Sequence, residues 1–277
     1  MKRARIFYLL LTILCVAAVI LYFMYFVVTE DHNAPEITVP EGQLELSIAD
    51  GQAKILEGVT AFDSRNGDVT PSMVVEMVKG LKGDGSAKAT LAAFDRSGNV
   101  AKAVREIRYT DYTSPVFDLS QPLLFREEVS YNLLDSVTAE DVIDGDITNR
   151  VKVTILEADH SVSLAGDYKV QFRVTNTLGD TSYLEAPVSV YPADSYNAKV
   201  ELTQYIIYLK PGDRLIPDNY FKHLMAGVKV FTTADPELVL EMDSNVRLRE
   251  PGVYKVTYVA SRGDYIGCSR LLVVVEE

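Results

Sequence analysis

The stretch EDVIDGDITNR, Glu140 to Arg150, sets four carboxylates (Glu140, Asp141, Asp144, Asp146) and one glycine within seven positions. Carboxylates this dense could hold calcium, which takes 6–8 oxygen ligands, or form an acid–base pair across a cleft. Asp141, Asp144 and Asp146 are the calcium candidates. The EF-hand register fails on them. With Asp141 as position 1, Gly145 falls at position 5 and Lys152 stands where position 12 needs Glu. Asp and Asn also bond nearby backbone N–H groups in turns, and Gly supplies a positive φ. The favoured reading is therefore a turn leading into a strand at Thr148, with calcium as the alternative. A catalytic acid pair is disfavoured, because these acids sit in turns rather than across a cleft.

A second stretch, Arg262-Gly263-Asp264, spells the tripeptide of integrin ligands. These three are candidate binding-loop residues, although the same residue types also suit a hairpin turn. His32, His160 and His223 stand alone, without a G-x-S-x-G nucleophile motif. Lys82-Gly83-Asp84-Gly85 is a turn rather than a phosphate loop. The two cysteines, Cys15 and Cys268, have no zinc-site spacing. No catalytic or cofactor-binding residue is assigned, and calcium is the one cofactor in question.

The elements that must carry these residues are strands. Gly166-Asp167-Tyr168-Lys169-Val170-Gln171-Phe172-Arg173-Val174 alternates apolar and polar residues, the pattern of a half-buried strand. Gly252-Val253-Tyr254-Lys255-Val256-Thr257-Tyr258-Val259-Ala260 repeats it, and Gly85 to Phe94 is an earlier copy. Each reaches a glycine turn, at Gly98, Gly179 and Gly263, and returns in another strand. The starts also recur, as Asn33-Ala34-Pro35-Glu36-Ile37 and Thr113-Ser114-Pro115-Val116-Phe117, with a weaker third at Asn197-Ala198-Lys199-Val200. Such repetition sets the copies at 34–110, 112–192 and 196–277. Short strands, frequent turns and no long amphipathic helix read as β-sandwiches. The one helical candidate, Asp218 to Met225, is too short to change the class.

Before the repeats, residues 6–28 carry no charge. About 20 helical residues cross a bilayer core, so this run is expected to be a single transmembrane signal anchor. It is too long for a signal-peptide core, and it ends in Tyr22, Phe23, Tyr25 and Phe26, where a peptidase needs small residues. Lys2, Arg3 and Arg5 precede it and Glu30 and Asp31 follow, so residues 1–5 are expected in the cytoplasm and the rest outside, after a linker at 29–33. Beyond the anchor, 24 basic residues face 39 acidic ones, a net charge of −15. Nucleic acid and anionic lipid headgroups are poor partners for such a surface. With no sorting signal before Glu277, anchoring is expected to rest on this helix.

Copy two combines Ser114-Pro115-Val116-Phe117, Asp144-Gly145-Asp146-Ile147-Thr148, Ala165-Gly166-Asp167-Tyr168-Lys169-Val170 and Asn176-Thr177-Leu178-Gly179-Asp180. Copy one has Ala34-Pro35-Glu36-Ile37, Asn66-Gly67-Asp68-Val69-Thr70 and Asp95-Arg96-Ser97-Gly98-Asn99. This set resembles the bacterial immunoglobulin-like domain family, the tandem modules of Gram-positive surface proteins, in the style of hyalin repeats. Copy three matches only through its closing hairpin; Ala226-Gly227-Val228-Lys229-Val230 stands where the Gly-Asp-Ile-Thr motif would be. The resemblance implies a non-catalytic extracellular module. The chain is thus expected to be all-β: three tandem Ig-like β-sandwich domains, the third divergent, behind one N-terminal transmembrane helix. The expected role is structural, adhesive or protein-binding, with a protein, cell-wall or glycan partner. The alternative is a carbohydrate-binding module using Tyr205, Tyr208, Tyr220 and Tyr265 as an aromatic platform.

Overall fold

The computed structural model describes residues 2–29, 31–157 and 164–276. His160 lies outside them. The chain divides into two compact units, residues 1–111 and 112–277.

The first unit opens with helix α1 (Lys2–Thr29). Its stretch Phe7–Tyr25 has a mean hydropathy of 2.6, and none of its residues is buried in the protein. It is long and apolar enough to cross a membrane. Seven strands follow: β1 (Glu36–Thr38), β2 (Leu44–Leu46), β3 (Thr60–Asp63), β4 (Gly67–Asp68), β5 (Val74–Lys79), β6 (Ser86–Phe94) and β7 (Val100–Tyr109). They form one sheet in the order β1-β3-β4 and another in the order β2-β7-β6-β5. The pair β2–β7 is parallel. Buried Arg105 on β7 reaches the short helix Gln52–Ile55 and the turn after it, where its Nη1 donates to the carbonyls of Ile55 and Glu57 at 2.6 and 2.7 Å.

The second unit holds two further sets. The first comprises β8 (Val116–Leu119), β9 (Leu124–Arg126), β10 (Val137–Asp141), β11 (Gly145–Asp146), β12 (Lys152–Glu157), β13 (Gly166–Thr175) and β14 (Thr181–Tyr191). Its sheets, β8-β10-β11 and β9-β14-β13-β12, repeat the order of the first unit strand for strand. Phe117, Val137 and Ala139 from one sheet pack against Val170, Phe172, Val174, Leu184 and Ala186 from the other. The alternation in β13 works as the sequence pattern demands: Tyr168, Val170, Phe172 and Val174 point inward. Two antiparallel layers closed by one parallel pair form an immunoglobulin-like sandwich.

The last set comprises β15 (Ala198–Leu202), β16 (Ile206–Leu209), β17 (Phe221–Ala226), β18 (Lys229–Phe231), β19 (Val239–Ser244), β20 (Gly252–Arg262) and β21 (Tyr265–Val275). The pairing scheme recurs, with one addition. β15 joins β21 in parallel, which fuses both layers into one seven-stranded sheet. Gly267 allows this approach, since a Cβ there would lie 2.7 Å from the Ala198 carbonyl oxygen. The helical reading of 218–225 is corrected. Pro217–Tyr220 is a 3₁₀ turn, and Phe221–Ala226 is a strand because pairing with β15 overrides local propensity. Within this unit, Ile206 and Leu272 enter the core of the preceding set, and the Tyr208 hydroxyl donates to the Phe117 carbonyl at 2.8 Å.

Candidate functional site

The Gly-Asp-Val/Ile-Thr motif serves the same purpose in both copies that carry it. Asp63 Oδ1 accepts from the amides of Arg65 and Asn66; Asp141 Oδ1 accepts from those of Ile143 and Asp144. Gly67 (φ +73°) and Gly145 (φ +69°) turn the chain back, a conformation few other residues adopt. Asp68 and Asp146 accept from the amides of Thr70 and Thr148, both at 2.9 Å. Those threonine hydroxyls accept from Ala61 and Ala139. Finally, Asn66 Oδ1 accepts from the Arg96 amide and Asp144 Oδ2 from the Thr177 amide, both at 2.7 Å. An amide and a carboxylate thus do one job, tethering this turn to the turn that closes the set.

The three sequence candidates for calcium are accordingly engaged by their own neighbours. Burial acts to raise the Asp144 carboxyl, but the Thr177 hydroxyl and amide and the Arg150 guanidinium outweigh it and hold it low. Asp146 is exposed, and hydrogen bonds from Thr148 hold its carboxyl low. Among the described residues, metal-ligand oxygens converge elsewhere: Asp31, Asp63 and Asp95, all buried, each offer one within 4.8 Å of the others.

These three come from three segments of the first unit. Asp31 precedes β1, Asp63 ends β3, and Asp95 begins the turn from β6 to β7. Asp31 Oδ1 accepts from the backbone amide and side-chain amide of Asn33, and Asp63 Oδ1 is held in its turn. Asp31 Oδ2 and Asp63 Oδ2 are buried and accept no hydrogen bond. The Arg65 Nε stands 3.9 Å from Asp31 Oδ2, an ion-pair distance without a hydrogen bond. Asp95 accepts from the Asn99 amide and side chain at 2.7 Å; burial would raise its carboxyl, and these bonds with the Ser97 and Gly98 amides hold it below the usual range. Asn99 also donates to the Asp31 carbonyl at 2.9 Å, which fastens the segment entering β1.

The second set builds the same corner from a different residue order. Where the first has Asp95 and Asn99, the second has Asn176 and Asp180. The Asn176 side chain donates to Asp141 Oδ2 at 3.1 Å and to the Tyr112 hydroxyl at 2.9 Å. Tyr112 in turn donates to Asp180 Oδ2 at 2.7 Å. An amide and a phenol fill the corner, and Asp141 Oδ2, the counterpart of unpartnered Asp63 Oδ2, is satisfied.

The remaining candidates are absorbed by structure. Gly263-Asp264 is the two-residue turn between β20 and β21. Arg262 is not presented beside them: its Nε donates to Asp235 at 3.2 Å and its guanidinium packs over Phe231. The Asp264 carbonyl accepts from Asn197. Of the four tyrosines, Tyr205, Tyr208 and Tyr220 pack against the cores, and Tyr265 packs on Phe231 with Lys229 over its ring. They form no exposed platform. His223 lies 3.2 Å from Glu201. A cleft of about 450 Å³ in the second unit is lined instead by Phe125, Tyr131, Tyr191 and Tyr196.

Sequence reading missed Asp31 and Asp95 as partners of Asp63. The available signal was the exchange of Asp95…Asn99 for Asn176…Asp180 between otherwise matched turns.

Fold and site together describe an immunoglobulin-like β protein with one membrane-type helix. No family model matches the chain. An uncharacterized 81.3 kDa protein of Acholeplasma phage L2 is 28% identical over 169 residues, which are 56% of this chain and 20% of that protein. The chain thus spans about a fifth of that relative. Among solved structures, Drosophila N-cadherin EC1-4 is similar at 11% identity and a TM-score of 0.24, covering 90% of this chain and 76% of that one. Mouse cadherin-23 EC22-24 gives 12% and 0.20, covering 88% and 99%. A Clostridium perfringens ZmpB structure, an M60 catalytic domain with two CBM51 domains, gives 12% and 0.25, covering 87% and 42%. Superpositions this loose leave the architecture resting on the strand pairing of the chain itself.

Proposed function

We propose that the chain is a membrane-anchored arm of three Ig-like modules standing outside a bacterial cell, with a structural, adhesive or protein-binding role and no catalysis. The observation that carries this reading is the recurrence of one seven-strand pairing scheme three times behind an apolar helix. Repeating a scaffold in series extends reach and multiplies loop surface. The basic residues before the apolar stretch, Lys2, Arg3 and Arg5, support an inside N-terminus. The likeness to a phage protein supports a bacterial setting. Protease added to intact cells tests the topology. Digestion of the C-terminal modules with protection of an N-terminal tag is expected; protection of the modules overturns the reading.

A carbohydrate-binding module is the second reading, favoured by the cleft whose Phe125 and Tyr131 rings stack at 4.0 Å. Its test is a glycan array probed with the chain in detergent. Signals lost in Tyr191→Ala support it, and a blank array overturns it.

A further inference from the structure

We propose that Asp31, Asp63 and Asp95 bind one divalent cation of the hard, oxygen-seeking class, calcium above all, at the membrane-proximal corner of the first β-sandwich. Acidic residues often gather without a metal, so the case rests on what surrounds them. Two of the carboxylates are almost wholly buried, at 5% exposure for Asp31 and 1% for Asp63. Each has one oxygen fixed by local N–H donors and the other buried with no hydrogen bond. A buried polar atom without a partner is costly, and a buried carboxylate oxygen facing two more carboxylates is more so. Fixing one oxygen aims the other, as the outer shell of a metal site does.

The second set provides an internal control. With the carboxylate and amide exchanged, its corner is filled by the Asn176 amide and the Tyr112 hydroxyl, and Asp141 Oδ2 gains a hydrogen bond. The frame therefore needs a positive or donor group at this point. The first set places a third carboxylate there instead, and the Arg65 Nε, 3.9 Å from Asp31 Oδ2, gives that oxygen no hydrogen bond. Three oxygens converge within 4.8 Å. An all-oxygen donor set selects calcium or magnesium over softer metals. Calcium's tolerance of irregular shells, completed by water, favours calcium over magnesium. Asp31 follows two residues after the helix ends at Thr29, so the ion would clasp the segment leaving the anchor to the β3–β4 and β6–β7 turns.

The test uses the full chain in detergent, stripped with EDTA, titrated calorimetrically with calcium chloride and separately with magnesium chloride. Melting is followed by circular dichroism. One calcium per chain is expected, with a Kd of about 10⁻⁴–10⁻³ M and a rise in melting temperature. Asp95→Asn, which installs the amide found at Asn176, is expected to weaken calcium at least about tenfold while raising the melting temperature of the stripped protein. A merely structural aspartate would lower both. Asp146→Asn is expected to leave calcium binding unchanged. No heat and no melting shift in the unaltered chain up to about 10 mM calcium overturns the proposal without recourse to any variant. So does binding that survives both Asp95→Asn and Asp63→Asn, or that is lost in Asp146→Asn.

Discussion

Tyr112→Phe removes one oxygen from the corner of the second set and leaves the ring in place. The hydroxyl donates to Asp180 at 2.7 Å and accepts from Asn176 at 2.9 Å, in a side chain only 8% exposed. A hydrogen bond to a charged group contributes about 1.5–3 kcal/mol and a neutral one about 0.5–1.5. Ser114 still donates to the same Asp180 oxygen, at 2.6 Å, which offsets part of the loss. The expected destabilisation is therefore about 2–3 kcal/mol. For a cooperative unit of this size, each kcal/mol moves the melting temperature by roughly 2–4 °C, so a fall of about 4–12 °C is expected. Urea denaturation of the wild type and the variant, followed by circular dichroism, reads it directly, with an unchanged slope showing that the unfolded state is the same. A loss below about 0.5 kcal/mol, the usual size of a neutral surface change, would refute the claim that this phenol fills the corner.

Asn176→Asp sets a carboxylate against Asp141, and is expected to lower the melting temperature in EDTA and to give part of it back in millimolar calcium. Arg105→Ala takes the donor from the carbonyls of buried Ile55 and of Glu57 and is expected to cost about 1–3 kcal/mol, read by urea denaturation. Gly267→Ala drives a methyl into the Ala198 carbonyl and Leu224, and is expected to cost about 1–3 kcal/mol, with faster proteolysis of the last set. Tyr112, Tyr208 and Tyr258 have hydroxyls raised above the ordinary value of 10, by burial first in each case. A raised acid binds its proton more tightly when folded, so this contribution is intact below pH 10 and falls away as the pH climbs beyond it. Urea midpoints measured from pH 8 upward check the sign.

The hairpins were legible because alternation maps onto burial: in β13 the aromatic and valine positions are the inward ones. The two-residue strands Gly67–Asp68 and Gly145–Asp146 were legible only as turns, since their pairing is part of the turn itself. The parallel closing pairs were not legible, because nothing local encodes a partner some 60 residues away. The third set departs from the other two in both chemistry and pairing: Ala226 pairs with Lys229 around Gly227-Val228, where the others place their motif, and β15 also joins β21. Carboxylate density in Glu140–Asp146 raised calcium as an alternative to a turn, yet those aspartates face donors of their own turn and of the turn that closes the set. Convergence belongs to Asp31, Asp63 and Asp95, which only the sandwich topology brings to one corner.

The parallel pairs have a mechanical meaning. Tension along the chain enters each set near its first strands and leaves through its last. In all three sets the second strand lies parallel to the last one: Leu44–Leu46 on Ile107–Tyr109, Leu124–Arg126 on Ser189–Tyr191, and Ile206–Leu209 on Leu272–Val275. Pulling such a pair apart by its opposite ends loads its hydrogen bonds together in shear rather than one after another. Each set is therefore strung to resist extension between its first strands and its last, and the parallel pair of the third set is one residue pair longer than in the other two.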